Sequence, residues 1–125
     1  MKTYEDLVTR FPWAEGRGQE YGSGWIDLIF RFCEEVEERY SLDNKMVDFT
    51  IFAIKEKNAE LRIQFEKVGS VDLCDLERKY EELSTKTCET CGDAGVMREV
   101  NGWLSIACDA CYKRPNKEVG VDEYR

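Results

Sequence analysis

Cys88-Glu-Thr-Cys91-Gly92-Asp-Ala-Gly95-Val-Met-Arg98-Glu-Val-Asn101-Gly102-Trp103-Leu-Ser-Ile-Ala-Cys108-Asp-Ala-Cys111 is the stretch whose reading decides the fold. Sixteen residues separate its two Cys-x-x-Cys pairs, a spacing that fits a zinc site. Each pair aims two thiolates at one point, and two pairs complete a tetrahedral four-sulfur shell. Between them, residues 95–100 and 103–107 read as strands. Asn101-Gly102 is a favoured pair for a type I′ turn, whose two central residues both take positive φ. Knuckle, strand, turn, strand, knuckle predicts a zinc ribbon over 88–111, with one structural Zn²⁺ on Cys88, Cys91, Cys108 and Cys111. Redox chemistry or another thiophilic metal is the alternative. Two disulfides would need an oxidising compartment, and Met1-Lys-Thr-Tyr-Glu-Asp lacks the apolar run of a secretory signal. A catalytic zinc is disfavoured, because four thiolates leave no coordination position for water.

Working outward, 125 residues suffice for one modest core with the ribbon as a small lobe. The expected divisions are a core over 1–87, the ribbon over 88–111 packed on it, and a charged tail over 112–125. No apolar run approaches membrane-spanning length, and the expected location is the cytoplasm. A net charge of −8 opposes general binding to phosphate backbones, which depends on Lys and Arg. Histidine is absent, which removes imidazole bases, His-containing triads and His metal ligands.

Upstream of the ribbon, the pattern predicts an α+β fold: an antiparallel β-hairpin covered by helices. Thr3-Tyr-Glu-Asp resembles a capping signal for a short helix ending near Phe11-Pro12. The glycine-rich stretch from Gly16 to Gly24 reads as loop. Glycines before a helix can cradle phosphate, but no Lys-Ser/Thr follows and no preceding strand is evident, so turn and cap use is the better reading. Ser23 is the expected N-cap of the main helix, about Gly24 to Tyr40. Trp25, Leu28, Ile29, Phe32, Cys33, Val36 and Tyr40 recur at steps of three and four on its apolar stripe. Residues 48–55 then read as a strand, 57–60 as a turn, and Leu61-Arg-Ile-Gln-Phe-Glu66 alternates as a second strand. Trp25, Leu28, Phe32 and Val36 are expected to pack on Leu61, Ile63 and Phe65. A further helix is expected from a Ser70 cap to about Thr85, striped by Leu73, Leu76, Tyr80 and Leu83. Cys33 and Cys74 are expected as buried thiols outside the metal site.

Several landmarks together resemble a class of small proteins commonly encoded by bacteriophages and prophages. They are Gly24-Trp25, Phe32-Cys33-Glu34, Ile54-Lys-Glu-Lys57, Leu61-Arg62-Ile63, Cys88, Cys91-Gly92, Gly102-Trp103 and Cys108-Asp109-x-Cys111. The resemblance spans about residues 21 to 111 and departs at Asn58-Ala59, where that class usually has Phe-Gly-Gly. It implies the fold and a phage-type origin, hence a bacterial host cytoplasm, but assigns no activity.

Three function classes follow. The favoured one is a zinc-stabilised interaction protein that binds a host protein stoichiometrically, with the acidic helix face Glu34, Glu35, Glu37 and Glu38 as the first candidate surface. In a narrower form, that face would occupy the nucleic-acid groove of a host defence enzyme. The alternative is a nucleic-acid-binding or transcription-related ribbon using Arg98, Trp103, Tyr112, Lys113, Arg114 and Lys117. An enzyme is the third, with no catalytic residues to name.

Overall fold

The computed structural model describes residues 2–66, 69–100 and 102–113. Helix α1 (Tyr4–Arg10) opens as its sequence suggests, in a reciprocal capping box. The Thr3 hydroxyl accepts from Asp6 N at 3.1 Å, and the Asp6 carboxylate accepts from Thr3 N at 2.9 Å. A 3-10 turn at Pro12–Ala14 follows. The glycine-rich stretch contains a three-residue strand, β1 (Gly18–Glu20), where only loop was expected. A second 3-10 turn, Ser23–Trp25, leads into the main helix α2 (Ile26–Leu42). The helix therefore starts two residues later than predicted, and the Ser23 side chain does not cap it.

Strand β2 (Ile51–Lys57) lies between β1 and β3 (Glu60–Phe65), pairing parallel with β1 and antiparallel with β3. The β2–β3 turn falls on Asn58 and Ala59, at φ 53° and 66°. Both are the left-handed angles a two-residue hairpin loop needs. Asn tolerates that conformation, and Ala59 is held in it by a 2.7 Å hydrogen bond from its N–H to the Glu56 carboxylate. This is where the chain departs from the phage-type pattern, and the turn closes without glycine.

Helix α3 (Cys74–Ser84) begins four residues after the predicted Ser70 cap. Asp72 supplies the side-chain acceptor instead, taking the Cys74 N–H at 2.9 Å. Ser70 donates its N–H to Asp48, which also accepts the Tyr40 hydroxyl at 2.7 Å. The start matters for Cys74, which sits in the first turn of α3 off the Leu73–Leu76–Tyr80 stripe and is exposed. That corrects its expected burial. Cys33 is buried as expected, and burial, reinforced by Glu37 and Glu34, pushes its thiol up.

One core unites these pieces. Trp25, Leu28, Ile29, Phe32, Val36 and Tyr40 cluster with Ile51, Ile54 and Leu61 of the sheet region and Leu76 and Tyr80 of α3. Ile63 and Phe65 pack against the cluster from its margin. Phe32 also meets Tyr80 edge-to-face, with centroids 5.6 Å apart. Phe32→Ala is therefore expected to cost about 3–5 kcal/mol in denaturant unfolding. A change under about 1 kcal/mol would contradict this packing.

The ribbon follows α3 with no linker: β4 (Val96–Val100), β5 (Trp103–Ala107) and a helical turn, α4 (Asp109–Tyr112). The hairpin is antiparallel, and Gly102 takes φ 85° as the predicted turn requires. Tyr112 belongs to α4 rather than to a tail, and residues 114–125 lie outside the described region. Among the described residues, no helix is long and apolar enough to cross a membrane.

Asp48 gives the fold a pH dependence. Hydrogen bonds from Ser70 and then Tyr40 lower its carboxyl to about 2. A depressed folded-state pKa stabilises above the unfolded value and loses that contribution as pH falls through the folded one. The melting temperature should therefore fall between about pH 4 and about pH 2, and less steeply in Asp48→Asn. Parallel curves for the two proteins would show that Asp48 is not responsible.

Candidate metal centre

Local backbone geometry builds the two knuckles differently. In the first, Cys88 donates its N–H to Asp93 O at 2.7 Å, and Gly92 N–H returns to Cys88 O at 2.9 Å. Gly92 closes that turn at φ 88°, a conformation suited to glycine. In the second, Cys108 is the N-cap of α4, and its Sγ accepts from Cys111 N at 3.4 Å. Residues at both ends of the ribbon are thereby brought to one point.

The four sulfurs of Cys88, Cys91, Cys108 and Cys111 all lie within 4.8 Å of one another. Cys91 and Cys108 are 3.6 Å apart, too far for a disulfide, and all four cysteines are free. A tetrahedron with metal–sulfur bonds of about 2.3 Å has edges of about 3.8 Å, so the cluster has the size of such a shell. Cys88 is fully buried and the other three are half-buried. The set could hold a metal ion.

Electrostatics favour a cation there. Burial would raise the Cys88 thiol, but backbone donors at Cys108, Cys91 and Thr90 outweigh it and lower the thiol. Cys111 is pushed up, first by burial and then by the neighbouring sulfurs of Cys108, Cys91 and Cys88. One thiol ionises readily while its neighbour resists, since adjacent thiolates repel without a cation between them.

The core grips the first knuckle directly. Glu89 bridges the two parts: its N–H donates to Ile106 O at 2.9 Å, and its carbonyl accepts from Gly24 N at 2.8 Å. The Glu89 carboxylate accepts from Gly22 N at 3.1 Å. The Trp25 indole N–H donates to Thr87 O at 2.9 Å, beside the first ligand. A Cβ on Gly24 would collide with the Cys88 carbonyl oxygen and lie 2.7 Å from Gly92 N. A Cβ on Gly22 would strike Glu89. These glycines admit the knuckle's backbone, a function that turn and cap use alone does not describe.

The predicted acidic face is divided. Glu34 and Glu38 are exposed, as the sequence suggests. Glu35 accepts from Lys79 Nζ at 2.9 Å and from the Tyr80 hydroxyl, tying α3 to α2. Desolvation pushes its carboxyl up, but the hydrogen bonds from Lys79 and Tyr80 outweigh this and leave it lowered. Glu37 accepts from Arg10 at 3.0 Å and from the Trp13 indole at 3.1 Å, fastening the N-terminal segment.

The alternative set also divides. Arg98 donates to Ala107 O at 3.1 Å and to the Asp109 carboxylate at 2.6 Å, and its guanidinium lies 4.4 Å from the centre of the Tyr112 ring. Trp103, Tyr112 and Lys113 are exposed, while Arg114 and Lys117 lie outside the described residues. The helix partners of Glu35 and Glu37 are distant in sequence, and no local pattern announces them. No family model, curated protein or solved structure matches the chain.

Proposed function

We propose that this chain is a zinc-stabilised binding protein of bacteriophage or prophage type that attaches stoichiometrically to a host protein. The observation that carries the reading is the four-sulfur cluster seated against the core through Glu89, Trp25 and two glycines. A soft, tetrahedral, all-thiolate donor set suits one Zn²⁺ on Cys88, Cys91, Cys108 and Cys111. Bound there, the ion supplies cross-linking and charge neutralisation rather than a reactive water, because its shell is filled by protein. What the site offers is a fixed shape and surface. Thiolate ligation also fits a reducing cytoplasm.

The charge of −8 favours a partner with a cationic surface, and the exposed carboxylates of Glu34 and Glu38 are suited to steering its approach. In the narrower form, that partner is a host defence enzyme whose nucleic-acid groove is the cationic surface. The nucleic-acid-binding alternative is weakened by Arg98, whose charge is already neutralised by Asp109.

Affinity capture by the tagged, zinc-loaded chain, mass spectrometry and titration of the recombinant partner test the reading. The expected result is a complex of fixed stoichiometry, whose association is slowed by Glu34→Lys with Glu38→Lys, most strongly at low salt. Capture of no protein, together with salt-sensitive binding of an oligonucleotide, would replace it with the nucleic-acid alternative.

A further inference from the structure

A concave site lies where the first turn of α1, the end of β1 and the entry to α2 converge. Its volume is about 340 Å³, within the range of small-molecule pockets. Tyr4, Tyr21 and Ile26 form apolar walls, and Lys2, Gln19 and Ser23 bring polar atoms to it. Ile26 belongs to the core and both tyrosines pack against it, so the walls are held in place. The Thr3 side chain, also at the rim, is spent on the capping box of α1.

Gln19 gives this cavity a chemical preference. It pairs with the buried Ile54 across the sheet, so its side chain lies on the covered side. Its Oε1 accepts from the Tyr21 hydroxyl at 2.8 Å. Burial, reinforced by Tyr4 and Cys33, pushes that phenol up to about 12, which keeps it a hydrogen-bond donor at neutral pH. With Oε1 filled, the amide has its Nε2 donor left to satisfy. Among the described residues, Nε2 of Gln19 is the one buried side-chain nitrogen or oxygen with no hydrogen-bond partner. Such atoms are uncommon, because an unpaired buried donor forfeits its hydration. The terminal torsion of a glutamine is broad, so a small turn of the amide presents this N–H to an acceptor in the cavity.

Charge narrows the ligand further. Four other surface hollows each carry carboxylates: Glu37 in one, Asp72 and Glu77 in a second, Asp27 and Asp93 in a third, and Glu34, Glu35 and Glu38 in a fourth. Among the described residues lining this cavity, Lys2 alone is charged and no carboxylate occurs. Lys2 stands 3.9 Å from Asp27, whose side chain is 70% exposed, so that pair is loosely held. On a chain of charge −8, one ammonium and one orphaned amide donor suit a single negative charge rather than a phosphate chain. The two ring walls suit a flat apolar body.

We propose that this cavity binds a small aromatic carboxylate, its ring against Tyr4, Tyr21 and Ile26 and its carboxylate on the Gln19 amide and the Lys2 ammonium. The site is separate from the metal centre and from the acidic helix face. It adds a ligand to the protein-binding function and does not depend on it.

An NMR titration of the full, zinc-loaded chain tests the assignment. Indole-3-acetate is the probe, and tryptamine, which carries an ammonium in place of the carboxylate, is the control. The expected result is saturable shifts at the backbone amides of Gln19, Tyr21 and Ser23, with a Kd below about 1 mM. Tryptamine should bind weaker by about tenfold or more. Gln19→Leu with Tyr21→Phe removes the amide together with the hydroxyl bonded to it, so neither is left unpaired. Its melting temperature should equal or exceed that of the wild type, while affinity for indole-3-acetate falls about tenfold. Gln19→Glu keeps the shape but replaces the donor with an acceptor, and it carries the test if the double variant does not fold. It should abolish binding of the probe, and every variant should keep the wild-type zinc content. No saturable binding of indole-3-acetate up to about 10 mM, equal affinity for tryptamine, or wild-type affinity in either variant would overturn the ligand site. Each of these outcomes leaves the protein-binding function standing.

Discussion

Cys108→Ser is expected to reduce bound zinc from one equivalent to near zero and to release the ribbon before the core unfolds. Each ribbon strand is five residues long, and an isolated two-stranded hairpin is marginal in water. Metal binding in small zinc modules contributes on the order of 10 kcal/mol, so the four ligands dominate the ribbon's stability. The two knuckles should respond unequally. Cys88–Gly92 is held to the core by Gly24 and by the Glu89 bridge, whereas the turn end of the hairpin, around Gly102 and Trp103, is exposed. Hydrogen exchange should therefore rise first over residues 96–111 and later over 88–92, with α2 protected longest. Elemental analysis with exchange mass spectrometry measures both effects. Cys74→Ser should keep the full zinc complement, since Cys74 lies outside the cluster. Full zinc retention after Cys88→Ser with Cys91→Ser, or stoichiometric disulfides in protein kept reduced, would dismiss this metal assignment.

The ribbon was legible because its determinants are local. Two Cys-x-x-Cys turns and an Asn-Gly pair specify knuckles and hairpin within a short span of chain. The α2 stripe and the Leu61–Ile63–Phe65 alternation were legible for the same reason: periodicity records which face is buried. Strand β1 was not legible. It has three residues, begins with glycine and exists only because it pairs in parallel with β2, more than thirty residues away in sequence. Its hydrogen bonds leave no mark in local composition. The start of α3 was misplaced because Ser70 and Asp72 are both acceptable caps, and the tertiary hydrogen bond from Ser70 to Asp48 decides between them.

The acidic face shows a different limit. A run of glutamates on a helix reads as uniform in sequence, but Glu35 and Glu37 are clasps for α3 and the N-terminal segment, while Glu34 and Glu38 face water. Which carboxylates are clasps depends on partners 24 to 45 residues distant. Glycine use has a similar cause. Gly22 and Gly24 look like loop residues until the first knuckle is brought against them, and only then does the missing Cβ acquire a steric reason. Long-range packing selects these residues without writing a periodic signal.

Trp25 joins the two halves most closely, and its replacement should separate two contributions. The side chain is fully buried, and its indole N–H satisfies the Thr87 carbonyl one residue before Cys88. Trp25→Ala removes a large volume from the core, a loss of about 3–5 kcal/mol. It also strips the Thr87 carbonyl of its partner, adding about 1–3 kcal/mol if no water replaces it. Small domains have total stabilities of about 5–15 kcal/mol, so this variant should be largely unfolded or close to its midpoint without denaturant. Trp25→Phe retains much of the ring contact while deleting the hydrogen bond, and should cost about 1–3 kcal/mol. Its informative readout is local. If Trp25 fastens the metal centre to the core, Trp25→Phe should speed hydrogen exchange over residues 86–95 and weaken zinc retention against a chelator while α2 remains protected. A Trp25→Phe protein that melts lower but exchanges and holds zinc over 86–95 like the wild type would reduce Trp25 to a core residue, leaving Glu89 and the two glycines as the attachment.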